Sequence, residues 1–115
     1  MVTVPVNVVR LAPGLRFDLR IHGIWRHQEL VPISEVPYRL LDYFCRHPRQ
    51  LVTMKTLLRV GWNNPPQRTV YDIYRVIHQL RQVLEADSNQ PKILISERGL
   101  GYVLLIPHQP LRSYS

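Results

Sequence analysis

The chain predicts an α+β fold: a small antiparallel sheet of four strands, three helices, and a β-hairpin at the C-terminal end. Three stretches carry that expectation. Residues 16–21, Arg-Phe-Asp-Leu-Arg-Ile, alternate polar and apolar without a break, the period of a half-buried strand. Ile73, Ile77, Leu80 and Leu84 recur at helical spacing with Val70, Val76 and Val83 beside them, an apolar stripe that needs a core to face. Residues 97–101 place two glycines between apolar, β-branched runs and read as a hairpin turn.

At 115 residues the chain suits one domain with a single core. Its parts are a sheet over residues 1–33, helices and hairpin over 34–106, and a tail over 107–115. Strands are expected over 6–11, 16–21, 24–26 and 30–33, with turns at Pro13-Gly14 and His22-Gly23. Trp25 is then a packing residue of a scaffold.

Ser34 precedes an apolar-periodic run and marks a helix N-cap, with the helix reaching Arg46 and Pro48 stopping it. Leu40, Leu41 and Phe44 face inward, Tyr38 and Cys45 flank them, and Arg39, Asp42 and Arg46 face out. Pro37 falls in the first turn, where a missing N–H is tolerated. Thr53 caps a shorter second helix over 54–61 that buries Leu57 and Leu58. After a stiff connector over 63–68, Thr69 and Asp72 form a capping box for the long helix 69–85, with Asp in place of the usual Glu or Gln. A polar loop over 86–91 leads to two strands, 93–95 and 102–106, around a turn with Arg98 near its tip.

Fifteen Lys and Arg against eight Asp and Glu give a formal charge of +7 and a pI near 10.2, which favours a polyanionic partner such as nucleic acid. Thirteen of the fifteen are Arg, whose planar fork suits phosphate and guanine. The lone Cys45 builds neither a disulfide framework nor a thiolate zinc site. No apolar run reaches the roughly 18 residues of a membrane span, and no signal-peptide pattern opens the chain, so a cytoplasmic protein is expected. Histidines 22, 27, 47, 78 and 108 have no metal-ligand spacing, and phosphate-binding Gly-rich patterns are missing. No catalytic residue, metal or cofactor is expected.

The long helix has a second face. Stepping about 100° per residue from Ile73 puts Tyr71, Arg75, His78, Gln79 and Gln82 opposite the stripe. Arg, Gln and His can hydrogen-bond base edges in a major groove, whereas a merely solvated face more often pairs Glu with Lys. From this helix alone a DNA-reading face and an ordinary surface helix both stand.

Four motifs in order add a family resemblance. Ile33-Ser34 with Leu40-Leu41, Arg46-His47-Pro48, Leu80-Arg81-Gln82-Val83-Leu84 and Glu97-Arg98-Gly99-Leu100-Gly101-Tyr102 resemble the winged helix-turn-helix DNA-binding domain of the OmpR/PhoB type. Members carry a Leu-Thr start with paired leucines, an Arg-x-Pro stop, Leu-Arg-x-x-Leu and Val-Arg-Gly-x-Gly-Tyr at these places. Departures are Pro37 for a usual Glu, Val60-Gly61-Trp62-Asn63 for x-Val-Trp-Gly, and Tyr74-Arg75-Val76 for Asp-Val-His. The Pro65-Pro66 loop is similar to that of the streptomycete antibiotic regulatory proteins.

The resemblance implies a bacterial transcriptional regulator that binds double-stranded DNA, the long helix in the major groove and the hairpin, or wing, on an adjacent minor groove. Tyr71, Arg75, His78 and Gln79 are then the base-edge candidates, Arg75 for a guanine and Gln79 for an adenine, with His78 alternatively a solvent-facing residue or phosphate contact and Tyr71 a residue packing on the sugar chain. Arg81, at the edge of the apolar stripe, suits a phosphate, and Arg98 suits a narrow minor groove. Ser96 and Trp62 match family positions that touch the DNA backbone, while Thr53 is a backbone contact or only a cap and Trp62 alternatively only core. RNA polymerase, contacted in the response-regulator branch through the loop before the long helix, and a receiver or other regulatory domain in a longer parent protein are the further partners implied. The competing expectation is a winged helix that serves as a protein-interaction module without DNA, which the lack of Lys on the long helix favours.

Overall fold

The computed structural model describes residues 7–62, 68–107 and 109, and within them the expected order holds. β1 (Val8–Ala12), β2 (Leu15–Asp18), β3 (Gly23–Arg26) and β4 (Glu29–Pro32) form an antiparallel meander. α1 (Glu35–Arg46), a two-residue β5 (Val52–Thr53), α2 (Met54–Trp62) and α3 (Val70–Leu84) follow, and β6 (Leu94–Glu97) and β7 (Gly101–Leu104) close the described fold. The N-terminal end of the first expected strand, the connector at 63–67, His108 and most of the tail lie outside the described residues.

One face of the meander buries Val9, Leu11, Leu15, Phe17 and Ile24, and Phe17 meets Tyr38 of α1 edge-on, ring centres 5.6 Å apart. Leu40, Leu41 and Phe44 of α1 continue this core into Leu57 of α2 and Ile73, Ile77, Leu80 and Leu84 of α3. Burial of about 25 cal/mol per Å² of apolar surface along this continuous layer joins sheet and helices into one unit. Gly61 lets α2 approach α1: a Cβ there would sit 3.3 Å from Val36 Cγ1, and Arg39 Nη1 donates to the Gly61 carbonyl at 3.0 Å.

Several local expectations shift. The second strand ends at Asp18 instead of residue 21, leaving Ile21 41% exposed in a turn. The Asp18 carboxylate causes this by accepting from the Arg20 N–H at 3.1 Å and, more weakly, the Trp25 indole N–H at 3.5 Å, an Asx-type turn that alternation cannot register. Ser34 is the N-cap of α1, yet its side chain makes no cap bond. An N-cap oxygen accepts from the second or third helical N–H, and the third helical residue, Pro37, has none. Leu58 is only partly buried. The wing is broader than a hairpin: β5 adds to β7, and the sheet order is β5-β7-β6. Of the expected tail, Gln109 is held to β1, accepting from the Arg10 N–H at 2.9 Å and donating to the Arg10 carbonyl at 2.7 Å.

Candidate nucleic-acid interface

α3 begins where its sequence says it should. Thr69 Oγ1 accepts from the Tyr71 N–H at 3.3 Å and Asp72 Oδ2 accepts from the Thr69 N–H at 2.9 Å, so the capping box is complete. The Thr69 N–H bond is the main reason the Asp72 carboxyl titrates below its ordinary value; Arg68 and Arg75, at 3.6 and 3.7 Å, pull the same way against partial burial. Asp72 therefore spends its charge on the cap and the flanking arginines.

Beyond the cap, Tyr71, Arg75, His78, Gln79 and Gln82 are all exposed, on the side away from buried Ile73, Ile77, Leu80 and Leu84. Tyr71 is 73% exposed and meets Tyr74, itself 49% exposed, edge-on at 5.9 Å. Tyr74 belongs to this surface and sequence reasoning passed over it; its i+3 spacing from Tyr71 was the available signal. Large aromatic surface left in water beside arginine is unusual unless it meets a partner.

The wing stands beside this face. A cleft of about 330 Å³ is lined by Val70 and Tyr74 of α3, Met54 of α2, and residues 96–102 of the hairpin. Arg98 and Leu100 are exposed in the three-residue turn, and Arg98 has no ion-pair partner among the described residues. Gly99 takes φ +77 with open space around it, so the turn is tight without a side chain in the way. Gly101 has the opposite surroundings: an added Cβ would overlap the Val52 carbonyl, which is what lets β5 lie against β7.

The remaining predicted residues divide. Thr53 lies in β5, and its Oγ1 accepts from the Thr56 N–H at 3.2 Å, so it caps α2 while pairing with Gly101. Trp62 is half-buried at the end of α2, with the Arg68 guanidinium 5.9 Å from its ring centre, which brings Arg68 to the same edge as the cap of α3. Arg81 is turned inward. Its Nε and Nη2 donate to the Leu94 carbonyl at 3.0 and 2.8 Å, and Nη2 also donates to Ser96 Oγ at 3.0 Å. Its guanidinium lies 5.5 Å from the centre of the Tyr102 ring; burial raises the Tyr102 phenol pKa and Arg81 partly offsets that. Among the described residues no group of three His, Cys, Asp or Glu could hold a metal ion, and no helix is long and apolar enough to cross a membrane. Cys45 is buried, and burial pushes its thiol pKa up, as befits a core residue.

Known proteins share this fold. The DNA-binding response regulator MtrA of Mycobacterium tuberculosis is 26% identical over 100 residues, covering 85% of this chain and 42% of that protein. The chain thus spans less than half the length of this curated relative. Among solved structures, the response regulator DrrB of Thermotoga maritima, an OmpR/PhoB homologue, superposes with a TM-score of 0.76 at 19% identity, covering 86% of this chain and 44% of that one. The RstA DNA-binding domain of Klebsiella pneumoniae, solved in complex with the RstA box, gives 0.72 at 18% identity, covering 85% and 96%. The family described as "Transcriptional regulatory protein, C terminal" matches residues 27–104, from the end of β3 through the wing. With three helices, an N-terminal antiparallel sheet and a C-terminal wing in that order, the chain belongs to this family, the OmpR/PhoB-type winged helix-turn-helix DNA-binding domains.

Proposed function

We propose that the chain binds double-stranded DNA sequence-specifically as the DNA-binding part of a bacterial transcriptional regulator, with α3 in the major groove and the β6–β7 turn in the adjacent minor groove. The observation that carries this is the exposed row Tyr71, Arg75, His78 and Gln79 beside a wing whose tip is Arg98, without an ion-pair partner among the described residues. Arg75 forks onto a guanine edge and Gln79 onto an adenine, the pairings their donor and acceptor geometry suits best. His78 and Tyr71 complete the contact with the bases and the sugars beside them. Thr53, Trp62 and Ser96 contact the DNA backbone flanking the base-reading row. The length of the relatives supports a longer parent protein with a receiver or other regulatory domain, and RNA polymerase is the partner proposed for the promoter complex.

Titration into duplex DNA at several salt concentrations tests the reading. A basic surface that neutralises several phosphates releases as many counterions, so affinity should fall steeply and log-linearly with salt. Random duplex should bind with Kd on the order of 10⁻⁴ to 10⁻⁶ M near physiological salt, and a selected site more tightly. Absence of binding at low salt would instead make the domain a protein-interaction module.

A further inference from the structure

The last turn of α3 closes on the open edge of the wing. β6 is an outer strand, and the Leu105 N–H donates to the Ile93 carbonyl at 2.7 Å, so in an antiparallel ladder Leu94 turns its own N–H and C=O away from β7. α3 takes up both. The buried Glu85 carboxylate accepts from the N–H groups of Lys92, Ile93 and Leu94 at 2.7 to 3.1 Å. Arg81, one helical turn earlier, donates twice to the Leu94 carbonyl and once to Ser96 Oγ while lying over the Tyr102 ring. The carboxylate of the C-cap Glu85 and the guanidinium of Arg81 in the last turn thus satisfy an open strand edge.

We propose that Arg81 is a positioning residue that sets the height and angle of the wing against α3, and through Ser96 the place of Arg98, instead of a phosphate contact in its own right. The proposal rests on the DNA-binding reading above. The β7 flank of the wing is held independently, by pairing with β5 and by the Met54 N–H donating to the Leu100 carbonyl at 3.2 Å. The β6 flank near the tip is held by Arg81 at Ser96, two residues before Arg98 in sequence. Only a planar fork reaches the carbonyl and the hydroxyl together while stacking on the phenol ring; a lysine ammonium is a point donor and replaces a phosphate contact but not this clamp.

Two measurements decide it. In the free protein, amide hydrogen exchange at residues 96–100 should quicken by roughly tenfold in Arg81→Lys and Arg81→Ala while α1 amides keep their rates, because a local opening is released without global unfolding. Unchanged exchange at the tip overturns the clamp. With duplex carrying an A·T-rich flank, Arg98→Ala should weaken the parent by roughly tenfold but the Arg81→Lys protein by about twofold or less, the non-additivity of coupled residues. Equal losses in both backgrounds, or full affinity in Arg81→Lys, return Arg81 to a plain phosphate cation. If Arg81→Ala does not fold, Arg81→Lys carries both measurements, since lysine keeps a long apolar stem and the positive charge at that position. If Arg98→Ala costs the parent nothing, the minor-groove reading is what fails, and the exchange rates alone decide the clamp.

Discussion

Arg75 and Arg98 are both exposed arginines, yet their surroundings differ. Arg75 leans on Asp72 at 3.7 Å from a rigid helix, which limits its rotamers before any partner arrives. Replacing it with Ala is expected to cost roughly 1 to 3 kcal/mol on the best site and to relax preference at one base pair, readable by competition with single-position duplex variants. Arg98 sits on a glycine-bearing turn with no ion-pair partner among the described residues. A narrow A·T-rich minor groove concentrates negative potential, so Arg98→Ala should lose affinity mainly on A·T-flanked duplexes and leave the thermal midpoint nearly unchanged. The exposure of both side chains was legible from helical phase and turn position. The inward turn of Arg81 was not, because its acceptors, Leu94 and Ser96, are 13 and 15 residues away in sequence.

Among the elements, α3 carries a titratable cap. The Asp72 pKa is depressed in the folded protein, so its contribution to stability is fully present above the unfolded carboxyl value, about 3.9, and is lost as pH falls through the lower folded value. Thermal midpoints of the parent and of Asp72→Asn should differ at neutral pH and converge as pH drops below that ordinary value. A gap that persists undiminished into acid would mean that the carboxylate charge is not what holds the cap. The wing sheet depends on a missing side chain. Gly101→Ala drives a Cβ into the Val52 carbonyl and should destabilise by about 1 to 3 kcal/mol with loss of the β5–β7 pairing, seen in chemical denaturation and amide exchange. Gly99→Ala, in open space, meets only the left-handed backbone preference and should cost less.

Across the molecule, the N-terminal sheet and the helices share one buried layer running from Phe17 through Phe44 to Ile77, with Phe17 against Tyr38 at the join. Such a layer leaves neither part a core of its own, so we expect a single cooperative transition. Trp25 reports on the meander and Trp62 on the end of α2, which gives one probe on each side of that join. Unfolding followed by the fluorescence of single-tryptophan variants and by far-ultraviolet circular dichroism should give coincident curves; separated midpoints would make the meander a distinct unit.

Periodicity and caps determined by themselves that a meander, three helices and a hairpin follow one another, that Thr69 caps the start of α3, and which of its faces is buried. These are local properties: hydrophobic phase and the bonds of a helix's first turn are set by residues three or four positions apart. Family motifs in order were enough to expect the winged architecture. Only the tertiary structure decided the rest. A two-residue strand has no period to detect, so β5 exists because Gly101 admits the Val52 carbonyl from the other side of the chain. Strand β2 stops early because the Asp18 carboxylate draws the Arg20 N–H into a turn and, more weakly, the Trp25 indole N–H on the next strand. Gln109 reads as tail until it meets Arg10, 99 residues away. Arg81 looks like a solvent cation until the open edge of β6 is brought against it, and an unpaired carbonyl beside a guanidinium is satisfied whatever the sequence between them.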